Sequence, residues 1–245
     1  MTHLVELDHC SLIAADSAAL ADAAATNLAA PVRHCPGWSV ADLVRHVYEV
    51  QDFWGQLVAG GLTDYEQANP TPQPAEGELL DAFRAGADKL VGILAAADPL
   101  TPVWTWASRK DAAFVIRHQV QEAAVHRWDA QFAAGGAQPL DRDAAADAIE
   151  EFLTFSLRAL PDGAPPLPGP LTLTATDAGI GWTLRPDGDR LTWQRTMADA
   201  PAPDEVRGTA SDLLLLLYRR RTPDELAVAG DASAARALSS YVATD

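Results

Sequence analysis

The segment Pro161-Asp-Gly-Ala-Pro-Pro-Leu-Pro-Gly-Pro170 constrains this chain more than any other stretch. Each proline fixes φ and removes a backbone donor, so neither a helix nor a central strand can run through it. The two flanks differ in kind. Before it, apolar residues recur at helical spacing. After it, they alternate.

On the N-terminal side, Leu4, Leu7, Leu12, Ile13, Leu20 and Leu28 predict a first helix in an Ala-rich segment, interrupted by Pro31 to Trp38. Ser39 with Asp42 three residues on has capping-box spacing and predicts a second helix over 40–59, ended by Gly60-Gly61. Residues 63–75 carry Asn-Pro, Thr-Pro and Gln-Pro and read as a loop. Three more helices are expected over 76–97, 111–134 and 141–160. On the C-terminal side, Leu171-Thr-Leu-Thr-Ala-Thr alternates as a half-buried strand should. Further strands are expected at Gly181–Arg185, Arg190–Arg195, Glu205–Gly208 and Leu226–Gly230, the first two of these joined through the turn Pro186-Asp-Gly-Asp189. Ser211 is the expected cap of a helix over 212–220, and 233–242 the last helix. The expected organisation is α+β: a helical domain over 1–160, a linker over 161–170, and a small α+β domain over 171–245.

Composition excludes several classes. A chain of 245 residues, 48 % hydrophobic and 21 % charged, has an ordinary globular make-up, and apolar runs such as Leu213–Leu217 are far too short to span a bilayer. The net charge of −16 repels polyphosphate, which makes nucleic acid a poor partner. Cys10 and Cys35 form no Cys-x-x-Cys pair, and Met1–Asp8 carries acids early with no basic-then-apolar pattern. A reduced, cytoplasmic setting without a cleaved leader is the expectation.

The residues with the most chemistry lie in Arg117-His-Gln-Val-Gln-Glu-Ala-Ala-Val-His-Arg-Trp-Asp129. Glu122 and His126 are four apart, one turn from each other on one helix face, and can both reach one divalent cation. A third ligand has to come from another helix. His46, in a stripe with Leu43, Val47 and Val50, is the candidate. The competing reading is a solvated Glu/His pair and a satisfied core histidine. His118 has drifted round the helix and suits a supporting role. Asp129 either orients His126 or pairs with Arg127 or Arg33. Trp38 suits a structural corner, and Arg45 a solvated or paired position. Trp104 and Trp106 either line a cleft or plug the core. His3, His9 and His34 have no usable partner spacing.

Three stretches together resemble the mycothiol-dependent maleylpyruvate isomerase family. They are Cys35-Pro-Gly-Trp-Ser-Val-Ala-Asp-Leu-Val-Arg-His46, Glu122-Ala-Ala-Val-His-Arg-Trp-Asp129, and Val206–Arg221 with Val228-Ala-Gly-Asp231. The resemblance implies a DinB-like up-down four-helix bundle followed by a sterol-carrier-like α+β domain. It implies a divalent metal, usually zinc, on His46, Glu122 and His126, with mycothiol as cosubstrate. An arginine in a Leu-Trp-Gly-Arg context assists thiol or substrate binding in the family. Here the stretch reads Leu217-Tyr-Arg-Arg, so Arg220 is the aligned residue, with Arg219 and Arg221 as its neighbours in register. Gln121 stands where many relatives have a histidine.

The implied chemistry is thiolate addition to an electrophile, as isomerase or S-transferase. Thiols titrate at about 8.5, and a bound cation favours the thiolate. Small-molecule thiol and electrophile are then the partners. A non-catalytic metal-binding or stress-response protein, and a carrier of a small apolar ligand, are the alternatives. Substrate, metal identity and oligomeric state are not encoded in these motifs.

Overall fold

A computed structural model describes residues 7–242. His3, Leu4 and most of the first eight residues, on which part of the first helix and the leader reading rest, lie outside the described residues. Two compact units divide between Gln138 and Pro139.

The first unit is a helical bundle. Helix α1 is His9–Ala24, α2 is Val40–Gly60, α3 is Leu79–Ala96 and α4 is Ala112–Ala133. Their ends follow local chemistry. The Asp8 carboxylate accepts from the Ser11 backbone N–H, and Asp111 does the same for Phe114. Ser39 and Asp42 cap α2 reciprocally, and Gly61 ends it at φ 57°. Helix α1 packs on α3 and α4, and α2 packs on the same two. That ring buries Leu20, Leu43, Val47, Leu79 and Phe83. Each fully buried apolar side chain of this size contributes about 1.5–3 kcal/mol.

Helix α4 is the bundle's inner member. Every residue from Gln119 to Ala130 is buried except Glu122, which is partly exposed. Burial all round, with polar residues among the buried ones, leaves this helix without a clean apolar stripe.

The second unit holds α5 (Arg142–Phe155), β1 (Leu171–Ala175), β2 (Ile180–Asp187), β3 (Arg190–Met197), β4 (Glu205–Gly208), α6 (Ala210–Leu217), β5 (Ala227–Ala229) and α7 (Ala232–Ala237). The sheet order is β3-β2-β1-β4-β5; β1 runs parallel to β4, and the other pairings are antiparallel. The expected 186–189 turn does join β2 to β3.

Three expectations change here. The helical domain does not extend to residue 160, because α5 belongs with the sheet. It packs on α6, and its Glu150 carboxylate accepts from the Trp182 indole N–H at 3.0 Å and from Arg195. The Pro-rich stretch is therefore a connection inside the second unit, where Leu167 is buried and its N–H donates to the Tyr241 hydroxyl. Strand β1 is buried on both faces, not one. Its threonines are covered because Thr172 bonds Thr183 and Thr174 donates to Glu205. Finally, Thr209 caps α6 by accepting from the Asp212 N–H, while the Ser211 hydroxyl accepts from the Leu140 N–H.

Gly230, in the Val-Ala-Gly-Asp stretch, is held at φ +78°, and a Cβ there would lie 2.1 Å from the Pro203 carbonyl oxygen. Both the conformation and the space demand glycine. Gly230→Ala is expected to destabilise the protein by more than about 2 kcal/mol. Urea unfolding of the two proteins measures it.

Candidate functional site

Helix α2 carries His46, and helix α4, packed beside it, carries Glu122 and His126. The His46 Nε2 and the His126 Nε2 each lie 3.3 Å from the same Glu122 oxygen, Oε1. The two imidazoles meet edge to face, with ring centroids 5.1 Å apart. Side-chain exposures of 31 % for His46, 16 % for Glu122 and 10 % for His126 show that this cluster is partly open to solvent. One donor atom from each residue lies within 4.8 Å of the others.

The far nitrogen of His126 is also taken. Its Nδ1 sits 3.1 Å from Oδ2 of Asp129, a carboxylate with no exposed side-chain surface. The same carboxylate lies 4.0 Å from the Cys35 thiol and 3.8 Å from His34 Nδ1. Asp129 thus orients His126. Arg127 pairs with Asp16 at 2.9 Å, and Arg33 lies over the Phe132 ring.

Electrostatics follow from this row of charges. Burial pushes the Glu122 carboxyl up, but neighbouring His126, the hydrogen bonds from His126 and His46, and the charge of His118 hold it well below the carboxylate range. Burial pushes His126 down, yet Glu122 and Asp129 together raise it to about 9. A proton therefore rests on His126 at neutral pH when nothing else binds there.

The other residues fall into place around this cluster. Trp38 packs its ring 4.9 Å from that of His46, so it touches the site as well as the corner. Arg45 pairs with Asp42. His118 stacks on Phe114 and lies 3.3 Å from the Gln121 amide. Sequence reasoning gave no role to Cys35 as a side chain or to His34. They sit in the loop before α2, with no fixed spacing to α4 that could have marked them.

Arg220 lies in the second unit, just past α6. Its guanidinium is buried, with Nη1 donating to the Tyr218 carbonyl at 2.9 Å. Arg219 before it has φ 59°, the left-handed conformation that glycine favours. Position 219 therefore has the left-handed backbone that glycine adopts most readily. The Arg219 side chain compensates by donating to the Ser239 and Val242 carbonyls.

A helical bundle with a His/Glu/His cluster between two of its helices, joined to a five-stranded α+β unit, is the class this chain defines. Residues 10–131 match the mycothiol maleylpyruvate isomerase N-terminal domain, and residues 143–237 match the C-terminal domain of the same family. The chain belongs to the mycothiol maleylpyruvate isomerase family. No curated protein matches it. Among solved structures it is similar to a mycothiol-dependent maleylpyruvate isomerase, and to a variant of that enzyme with one histidine replaced by alanine. Each match has a TM-score of 0.62 and 12 % identity, covering 93 % of this chain and 95 % of the other. At that identity the likeness concerns the fold.

The raised His126 gives a stability contribution fully present below the usual 6.5 and lost as pH rises through about 9. In metal-free protein, Asp129→Asn is expected to bring the His126 pKa down towards the ordinary histidine range. NMR titration of the His126 ring protons reads the change directly.

Proposed function

We propose that this chain is a mycothiol-dependent enzyme, an isomerase or an S-transferase, whose site is built on a divalent cation held by His46, Glu122 and His126. The observation that carries the reading is the pair of Nε2 atoms equidistant, at 3.3 Å, from one Glu122 oxygen on an accessible face. Ligand atoms bonded at about 2.1 Å around a tetrahedral centre stand roughly 3.4 Å apart. The donor set fits by chemistry too, since two imidazoles and one carboxylate suit zinc and several of its neighbours in the first transition series.

A divalent cation there supplies a Lewis acid that favours the thiolate form of a bound thiol. The rest is done by the chain. Asp129 accepts from the Nδ1–H of His126, which leaves the lone pair on Nε2. Trp38 fixes the His46 ring. Glu122 keeps its charge at neutral pH because His126 and the hydrogen bonds favour the ionised form. By the family resemblance, Arg220 of the second unit is the residue proposed to bind a carboxylate, a group that a planar guanidinium suits. In this reading the partners are a small thiol and an electrophile. The cytoplasmic setting belongs to the proposal.

Two measurements test the centre. Protein grown in minimal medium with zinc is expected to hold one equivalent, and His46→Ala to weaken binding by at least about 100-fold. Metal uptake must displace the His126 proton, so affinity should rise about tenfold per pH unit up to about 9. Calorimetry in two buffers of different ionisation enthalpy counts that proton. A mycothiol titration of the loaded protein then separates an enzyme from a protein that only holds metal. Absence of stoichiometric metal, with His46→Ala silent, would overturn the reading.

A further inference from the structure

Cys35-Pro-Gly-Trp38 lies in the connection between α1 and α2. The Trp38 N–H donates to the Cys35 carbonyl at 3.0 Å, and Gly37 is held at φ +88°. Proline at the second place and a left-handed glycine at the third define a type II turn. The connection around it is braced. The Cys35 N–H donates to the Val32 carbonyl at 3.2 Å, and the Val32 N–H to the Trp38 carbonyl at 2.9 Å. The first N–H groups of α2, from Val40 and Ala41, donate back to the Ala30 and Leu28 carbonyls. Val32 and Cys35 are buried in the bundle core.

The two ends of this turn meet the two histidines of the cluster, which stand on different helices. At one end the Trp38 ring lies 4.9 Å from that of His46 on α2. At the other, the Cys35 thiol lies 4.0 Å from Oδ2 of Asp129, the oxygen that meets Nδ1 of His126 on α4 at 3.1 Å. His34, the preceding residue, brings its Nδ1 to 3.8 Å from the second Asp129 oxygen, and its ring packs on Trp128 and Phe132. One four-residue turn thus reaches His46 directly and His126 through Asp129.

A cation site needs control of this kind. A histidine ring turns readily about its last side-chain bond, and its lone pair lies in the ring plane. Donors have to be held to within about 0.5 Å and roughly 10–20° of their working geometry. Apolar packing between two helices places their axes, not their ring planes. A turn closed by its own hydrogen bond, with φ fixed by proline at its second residue, keeps its two ends at one separation. Cys35, His126 and Asp129 also bring donor atoms within 4.8 Å of one another, so a sulfur-bound cation is the rival arrangement. All three of those residues are buried, whereas His46 and Glu122 are partly open to solvent.

We infer that this turn is the positioning device of the cluster. Cys35, acting through Asp129, and Trp38 are positioning residues that hold the His126 and His46 imidazoles at one separation and orientation before a cation arrives. This rests on the cation reading of the cluster and adds to it what sets the cluster's geometry. It also gives the Pro36-Gly37 pair a function, since these two residues close the turn.

The test compares Gly37→Val with Gly37→Asn in the full-length protein. A Cβ at residue 37 meets open space, so the backbone is what each variant disturbs. Valine strongly disfavours the left-handed region and asparagine tolerates it. In metal-free protein, NMR is expected to show a nuclear Overhauser cross-peak between the ring protons of His46 and His126, whose centroids are 5.1 Å apart. Gly37→Val should lose that cross-peak and Gly37→Asn should keep it. Co²⁺ titration, followed by visible absorption, should weaken at least about tenfold in Gly37→Val and stay within about threefold of the parent in Gly37→Asn. Cys35→Ala, which leaves the turn's backbone in place, should weaken Co²⁺ in the same direction and decides the matter if Gly37→Val does not fold. An unchanged cross-peak and unchanged Co²⁺ affinity in the deciding variant overturn the inference. So does a thiolate-to-cobalt charge-transfer band in protein without added thiol, which would put the Cys35 sulfur on the cation. Failure of the cation reading looks different: Co²⁺ then does not bind the parent protein, while the histidine cross-peak still depends on residue 37, which leaves the positioning role standing.

Discussion

A carboxylate sealed from water must be satisfied from within, and the His126 imidazole is one of the partners of Asp129. That contact organises the bundle's interior. It fixes which nitrogen of His126 points to the accessible side and sets the distance at which Glu122 and His46 meet it. It also requires α4 to be surrounded, because an exposed Asp129 would exchange its partner for solvent. The polar interior of α4 and the ring of helices about it are two sides of one requirement.

The same requirement explains what could and could not be read from the chain. Helix α2 was legible because its cap, Ser39 with Asp42, and its apolar stripe are both local. Glu122 and His126 were legible as a pair because four residues on a helix bring side chains together wherever the helix sits. That His46 would meet them is a tertiary fact, readable only as a need for a third donor and through the family resemblance. His34 and Cys35 were opaque, since nothing in a loop before one helix announces proximity to the end of another. Asp129 was open between two roles, and the fold brings its carboxylate to the His126 imidazole.

In the second unit, the strands and the hairpin were legible from alternation and turn residues. The boundary was not. A run of prolines is a strong sign of irregular backbone, but it says nothing about which side owns the helix before it. Glu150 gives the answer through Trp182 and Arg195, residues some thirty to forty-five positions away. Likewise, alternating leucine and threonine in β1 reads as one wet face until Thr183 and Glu205 are seen to dry it.

The parallel pairing of β1 with β4 carries a consequence for assembly. Strand β1 ends at Ala175 and β4 begins only at Glu205, with the whole β2–β3 ribbon between them. The ribbon can zip from its own tight turn, whereas β4 must find the opposite edge of β1 across a long excursion of chain. Until it does, that edge and Thr174 beside it stand bare, a template for any other extended segment. Crowded or heated preparations of this protein would thus be most vulnerable at the interval between those two events.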